Sequence, residues 1–213
     1  MTPLWCCREP EGALVMLPGV RMRASDMVGA GLPEALAESG RRLDLFVPEP
    51  VYDVTLLEDD LRCLAEAILP PLRARYRRLW LGGISLGGWM ALVHAQRQPD
   101  GLEGLCLLAP YPGSRLSANA IARAGGLEAW RPTPAQAADP EFQLWLGLRE
   151  GRPALPAYVG IGRGDRFAAA MHGLARRLPR ATVEEVAGGH DWDAWLPLWR
   201  RCLAWTAVAG EGA

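Results

Sequence analysis

Ser85 stands alone in the stretch GGISLGGWM, Gly82 to Met90, with a glycine pair on each side of Ile84-Ser85-Leu86. Gly83-Ile84-Ser85-Leu86-Gly87 fits G-x-S-x-G, the spacing at which a strand-to-helix turn presents a serine hydroxyl as a nucleophile. A serine is a weak nucleophile until a base takes its proton, and the base needs a carboxylate to orient it. The chain has three histidines. His94 and His172 fall inside helical patterns. His190 follows the last predicted strand, in GGHDW, where a loop can reach over the sheet edge. For the carboxylate, Asp165 in VGIGRGDRF lies just past a late strand, after Gly162 and Gly164, which free the loop. Asp191 is too close to His190 in sequence to bond back to the same imidazole, and Glu184 and Glu185 lie within a strand. Asp165 also suits the N-cap of the following helix, and the two roles are compatible. The chemistry these residues would do together is acyl transfer, with Ser85 attacking, His190 moving the proton and Asp165 fixing the imidazole.

Such a reaction builds negative charge on a carbonyl oxygen, so two N–H donors are needed. One is expected from the backbone of Leu86, directly after the serine. The other is expected from Val20, with Arg21 as the alternative, in the loop that Pro18-Gly19 opens. Trp89 and Tyr111 flank the serine turn, and Trp130 and Trp145 lie in a later irregular stretch; all four are candidates to line a substrate pocket. Trp192, Trp195 and Trp199 recur at helical spacing and read as core.

Positioning these groups requires strand ends that share one edge. ALVMLPG, RRLDLFVPEP, RRLWLGGIS, GLEGLCLLAPYPG, LPAYVGIG and ATVEEVAGG read as strands, most of them continuous apolar runs of the kind buried on both faces. Between them SDMVGAGLPEALAESG, interrupted or started late by Pro33, DVTLLEDDLRCLAEAILPP, ended by its prolines, and LGGWMALVHAQRQPD read as helices; a last helix runs from about residue 191 to 208. The alternation predicts a single α/β domain over residues 1–213, with a mostly parallel sheet of six to seven strands and helices on both faces. Residues 114–153, with Pro132, Pro134 and Pro140 and two short helical patches, break the alternation and read as a small cap over one end of the sheet.

Composition narrows the field. The 213 residues, half of them hydrophobic, carry a formal charge of −1, which gives no reason to expect nucleic acid or an anionic membrane as partner. All 23 basic residues are arginine, which excludes Schiff-base, pyridoxal-phosphate and P-loop lysine chemistry. Five cysteines, two of them adjacent, make a poor disulfide framework, and no C-x-x-C is present for zinc. Cys106 reads as a core residue. The first ten residues lack the apolar run of a signal peptide, so the reading is cytoplasmic. The uncharged span Leu79 to Gln96 contains four glycines, a serine, a histidine and a glutamine, and is better explained as strand, turn and buried helix than as a membrane span.

LVMLPG, GISLGG, LLAPY, GIGRGDRF and GGHDWDAW together resemble the α/β-hydrolase superfamily, in particular its small bacterial esterase-like members. GGHDW followed by Trp195 is similar to the ending of esterases of the esterase-D kind and of related acyltransferases. The resemblance covers nearly the whole chain and implies a Ser85–Asp165–His190 triad, a small-molecule acyl substrate and no metal or organic cofactor. Many members carry His-Gly where this chain has Pro18-Gly19. The leading expectation is a serine hydrolase of carboxylic esters or thioesters. An acyltransferase with the same triad and an inactive binding module on the same fold are the alternatives. A metal site built from His190, Asp191 and Asp193 is weaker, because residues so close in sequence cannot supply a full shell.

Overall fold

The computed structural model describes residues 4–49 and 57–209. Six strands form one parallel sheet in the order β2-β1-β3-β4-β5-β6. They are β1 (Gly12–Leu17), β2 (Leu43–Phe46), β3 (Leu79–Ile84), β4 (Gly104–Leu108), β5 (Ala157–Gly162) and β6 (Ala181–Val186). The first five are buried along their whole length, which is why, apart from Asp44 in β2, they carry no charged side chain and show no apolar–polar alternation. β6, at one of the two sheet edges, is the exception, with Thr182 and Val183 exposed and Glu184 and Glu185 half-buried.

Helices cover both faces. They are α1 (Ala24–Gly29), α2 (Leu32–Glu38), α3 (Leu57–Cys63), α4 (Leu69–Arg75), α5 (Leu86–Arg97), α6 (Arg115–Arg123), α7 (Pro134–Ala138), α8 (Pro140–Arg149), α9 (Ala168–Ala175) and α10 (Trp192–Ala209). Strand register separates the two sides. A Cβ on Gly83 would strike the backbone of Gly87 in α5, whereas a Cβ on Gly160 would strike Leu198 in α10. Gly160 pairs with Leu108, and Leu108 with Ile84, so α5 and α10 lie on opposite faces. Trp199 is fully buried on α10 and donates its indole N–H to the carbonyl of Leu32, 3.0 Å away, tying the last helix to α2. Cys106 and Cys202 are both fully buried, and no described helix is long and apolar enough to cross a membrane.

Two helix boundaries differ from the sequence expectation. The first helical stretch breaks at Gly31, whose φ of 90° favours glycine, and Pro33 sits in the first turn of α2. The prolines after Ile68 do not end the second stretch. A π-turn over Leu64–Ile68, closed by Leu69 N–H donating to the Leu64 carbonyl, restarts the helix as α4. Pro70 and Pro71 then occupy its first turn, where a missing N–H removes no helical bond. Residues 50–56, part of the expected helix and of the strand-end before it, lie outside the described residues. Residues 114–153 contain three helices, α6 to α8, rather than two patches.

β1 is flanked by β2 on one side and β3 on the other, so the chain reverses its direction of winding between β1 and β3. Ligands of open parallel sheets bind beyond the carboxyl ends of the strands at such a point. The Pro18–Arg21 loop and Ser85 both emerge there.

Behind this edge, α5 buries His94, 2% exposed, with the Arg73 guanidinium Nη2 3.5 Å from its Nε2. Burial, reinforced by the charges of Arg73 and Arg97, lowers its pKa from 6.5 to about 4. The unfolded chain therefore binds a proton that the folded chain refuses between those values, and stability falls as pH drops through that window. His94→Gln removes this titration. The urea midpoint of the variant should decline less steeply than that of the wild type between about pH 6.5 and 4; parallel declines would assign the acid sensitivity elsewhere.

Candidate active site

The turn from β3 into α5 is built by exclusion of side chains. A Cβ on Gly83 would lie 2.3 Å from the carbonyl carbon of Gly87, and one on Gly87 would lie 2.1 Å from the carbonyl oxygen of Leu17. Only glycine lets strand, helix and the end of β1 approach this closely. Between them Ser85 is the N-cap of α5 with φ 53° and ψ −114°, a conformation a side-chain-bearing residue adopts only under constraint. Three backbone bonds impose it. Ser85 N–H donates to the Leu108 carbonyl at 3.0 Å, and the Ser85 carbonyl accepts from Tyr111 N–H at 2.9 Å and Trp89 N–H at 3.1 Å.

Asp165 lies in the turn between β5 and α9, its side chain wholly buried. Its Oδ1 accepts from Phe167 N–H at 2.8 Å, so the aspartate caps the turn into α9 with one oxygen and keeps the other for His190. The loops after β5 and β6 are stitched together: Arg163 N–H donates to the Val186 carbonyl at 2.9 Å and Gly164 N–H to the Gly188 carbonyl at 2.8 Å. Gly188, at φ 112°, turns the second loop toward the first. His190 Nδ1 is 2.5 Å from Asp165 Oδ2, and His190 Nε2 is 2.8 Å from Ser85 Oγ. A carboxylate only accepts, so Nδ1 carries the proton and Nε2 is left to accept from the Ser85 hydroxyl. The imidazole is held edge-on between the rings of Phe167, 5.5 Å away, and Trp195, 5.3 Å away. The structure thus brings Ser85, His190 and Asp165 into one hydrogen-bonded chain. His94 and His172 lie elsewhere; His172 Nε2 is 2.7 Å from Glu185 Oε1.

A cavity of about 550 Å³ opens over Ser85. Val20, Leu86, Trp89 and Tyr111 line it together with Ser85 and His190. The backbone N–H groups of Val20, Arg21 and Leu86 have no acceptor among the described residues. Tyr111 packs edge-on against Phe167, and burial, with the nearby Glu141 charge, pushes its phenol above the ordinary range, so it stays protonated. Trp130 and Trp145 do not line this cavity, contrary to the sequence expectation. Trp130 stacks on Phe142 at 5.5 Å in a separate small core with Leu127, and Trp145 packs between that core and the main one. The aromatics of residues 114–153 hold those helices together, because a segment this short has little else to bury.

Sequence reasoning missed the remaining lining residues: Leu57 and Glu58 from α3, Asp139, Pro140 and Glu141 from the start of α8, and Arg166 and Phe167 beside Asp165. Adjacency to Asp165 was the available signal for the last two. Nothing in the local sequence marks α3 as a pocket wall, since it arrives there through long-range packing.

No protein-family model and no curated protein matches the sequence. Among solved structures, the chain is similar to an S-formylglutathione hydrolase from Agrobacterium tumefaciens, with TM-score 0.68, 15% identity, and 95% of this chain and 85% of that one covered. It is similar to Est1E from Butyrivibrio proteoclasticus, with TM-score 0.67, 15% identity and coverage of 96% and 90%. A monoacylglycerol lipase from Paleococcus ferrophilus gives TM-score 0.64, 17% identity and coverage of 94% and 96%. The protein has the α/β-hydrolase fold.

The crowding at the serine turn is testable. Gly87→Ala should lose about 1–3 kcal/mol of stability in urea denaturation, because the end of β1 must move. Gly29→Ala, where an added Cβ meets nothing within 4 Å, should be neutral or stabilising. Equal effects would remove the packing argument.

Proposed function

We propose that this protein is a serine hydrolase that cleaves a carboxylic ester or thioester through an acyl-enzyme on Ser85. The observation that carries the reading is the unbroken chain from Ser85 Oγ through both nitrogens of His190 to the buried Asp165 carboxylate. The names of the similar structures, which include S-formylglutathione hydrolases, an esterase, a monoacylglycerol lipase and a thioesterase domain, support it.

In this reading the substrate carbonyl carbon sits beside Ser85 Oγ. His190 Nε2 takes the hydroxyl proton as Oγ bonds to that carbon. The carbonyl π electrons move to oxygen, and the resulting oxyanion accepts from the backbone N–H groups of Leu86 and Val20. The start of α5 adds the positive end of its helix dipole. His190 then gives the proton to the leaving alcohol or thiol as its bond to carbon breaks. Water repeats the sequence and frees the acid. Asp165 holds the imidazole tautomer and balances the imidazolium charge without taking the proton. The substrate is a small molecule, and no metal or organic cofactor enters the scheme. The five cysteines are all free thiols, which supports a reducing, cytoplasmic setting.

A fluorophosphonate probe should label the wild type and leave Ser85→Ala unlabelled. With short-chain p-nitrophenyl esters, Ser85→Ala and His190→Ala should each lose turnover by about 10⁴–10⁶, and Asp165→Asn by about 10⁴. Labelling or full turnover in Ser85→Ala would sink the assignment.

A further inference from the structure

The charges around the cavity are not equally committed. Glu58 is held by Arg97 in a two-point ion pair at 2.8 and 2.9 Å, and Arg97 also donates to Gln143 Oε1 at 2.9 Å. Glu141 accepts from both the backbone N–H and the hydroxyl of Ser114, at 2.7 and 2.8 Å. Asp139 accepts from Glu141 N–H at 2.8 Å as the N-cap of α8. Asp139 and Glu141 both sit at the positive end of that helix, where a carboxylate is already favoured. Arg166, the remaining charged lining residue, forms no ion pair among the described residues. Its guanidinium lies over the Phe167 ring, 4.7 Å from the ring centre, and makes no side-chain hydrogen bond among the described residues. Phe167 in turn packs against both His190 and Tyr111.

We propose that Arg166 is a specificity-determining residue that binds an anionic group of the substrate, a carboxylate, phosphate or sulfate carried on an otherwise apolar ester or thioester. The remaining lining, Val20, Leu57, Leu86, Trp89, Pro140 and Phe167, suits the apolar part. A guanidinium held over an aromatic ring face uses none of its N–H donors on a carboxylate, so it can take an oxyanion group in a two-point bond. The inference rests on Ser85 being the nucleophile, and it adds which esters reach that residue.

The test compares esters of matched length that differ only in a terminal charge. One arm places the carboxylate on the acyl group, as an aryl hemisuccinate against the butyrate of the same phenol. The other places it on the leaving group, as the butyrate of a carboxyphenol against that of the uncharged phenol. In at least one arm the wild type should favour the anionic ester in kcat/KM. In that arm Arg166→Gln should reduce the anionic-to-neutral ratio at least tenfold, through KM, and Arg166→Lys should recover part of it. The wild-type preference should also shrink as salt is raised. An unchanged ratio in Arg166→Gln in both arms, with fluorophosphonate labelling of Ser85 intact, would overturn the inference and leave the hydrolase reading standing. Loss of labelling specificity for Ser85 would strike that reading instead.

Discussion

A carboxylate removed completely from water must find donors, and Asp165 finds two: the N–H of Phe167 and the imidazole of His190. That requirement organises the whole edge of the molecule. Meeting it fixes the turn into α9, forces the loops after β5 and β6 to run side by side, and sets which nitrogen of His190 bears the proton. The nitrogen left over then faces Ser85 at 2.8 Å. A neutral residue at position 165 would leave the ring free to take the other tautomer, in which Nε2 is a donor and cannot accept from the Ser85 hydroxyl.

The sheet supplies the distances. Asp165, His190 and Ser85 follow β5, β6 and β3, and the Pro18–Arg21 loop follows β1. Parallel pairing in one sheet puts all four carboxyl ends at the same rim. Close approach at Gly83 and Gly87 lets α5 begin immediately after Ser85, so the helix N-terminus lies beside the serine hydroxyl. The cavity wall has a different origin: α3 and the start of α8 converge from distant parts of the chain, clasped through Glu58, Arg97 and Gln143. The rim is therefore set by the sheet and the wall by ion pairs and helix ends.

This division explains what could be read in the sequence. Strands covered on both faces are apolar at every position, so β1, β3, β4 and β5 stood out, and the alternation with helices led to the parallel sheet. Ser85 was visible because the turn tolerates only glycine two positions to either side, at Gly83 and Gly87. His190 and Asp165 were visible because each follows a strand and so must lie at the same rim. Pro70 and Pro71 misled, because a π-turn that resets the helical register leaves no trace in composition. Trp130 and Trp145 misled because an aromatic residue suits a small core as well as a substrate wall, and only packing decides between them. Arg166 was overlooked because it stands out only by having no ion-pair partner among the described residues, which depends on every neighbour at once.

The central claim is that an acyl group passes through Ser85. The most direct measurement is rapid acid quenching of the protein during turnover of a short p-nitrophenyl ester, followed by peptide mass analysis. The account predicts a transient gain of one acyl group confined to the tryptic peptide Leu79–Arg97, with fragmentation placing it on Ser85 and its decay matching the release of acid. Product formation with that peptide unmodified throughout, or with the acyl group on another residue, would contradict it.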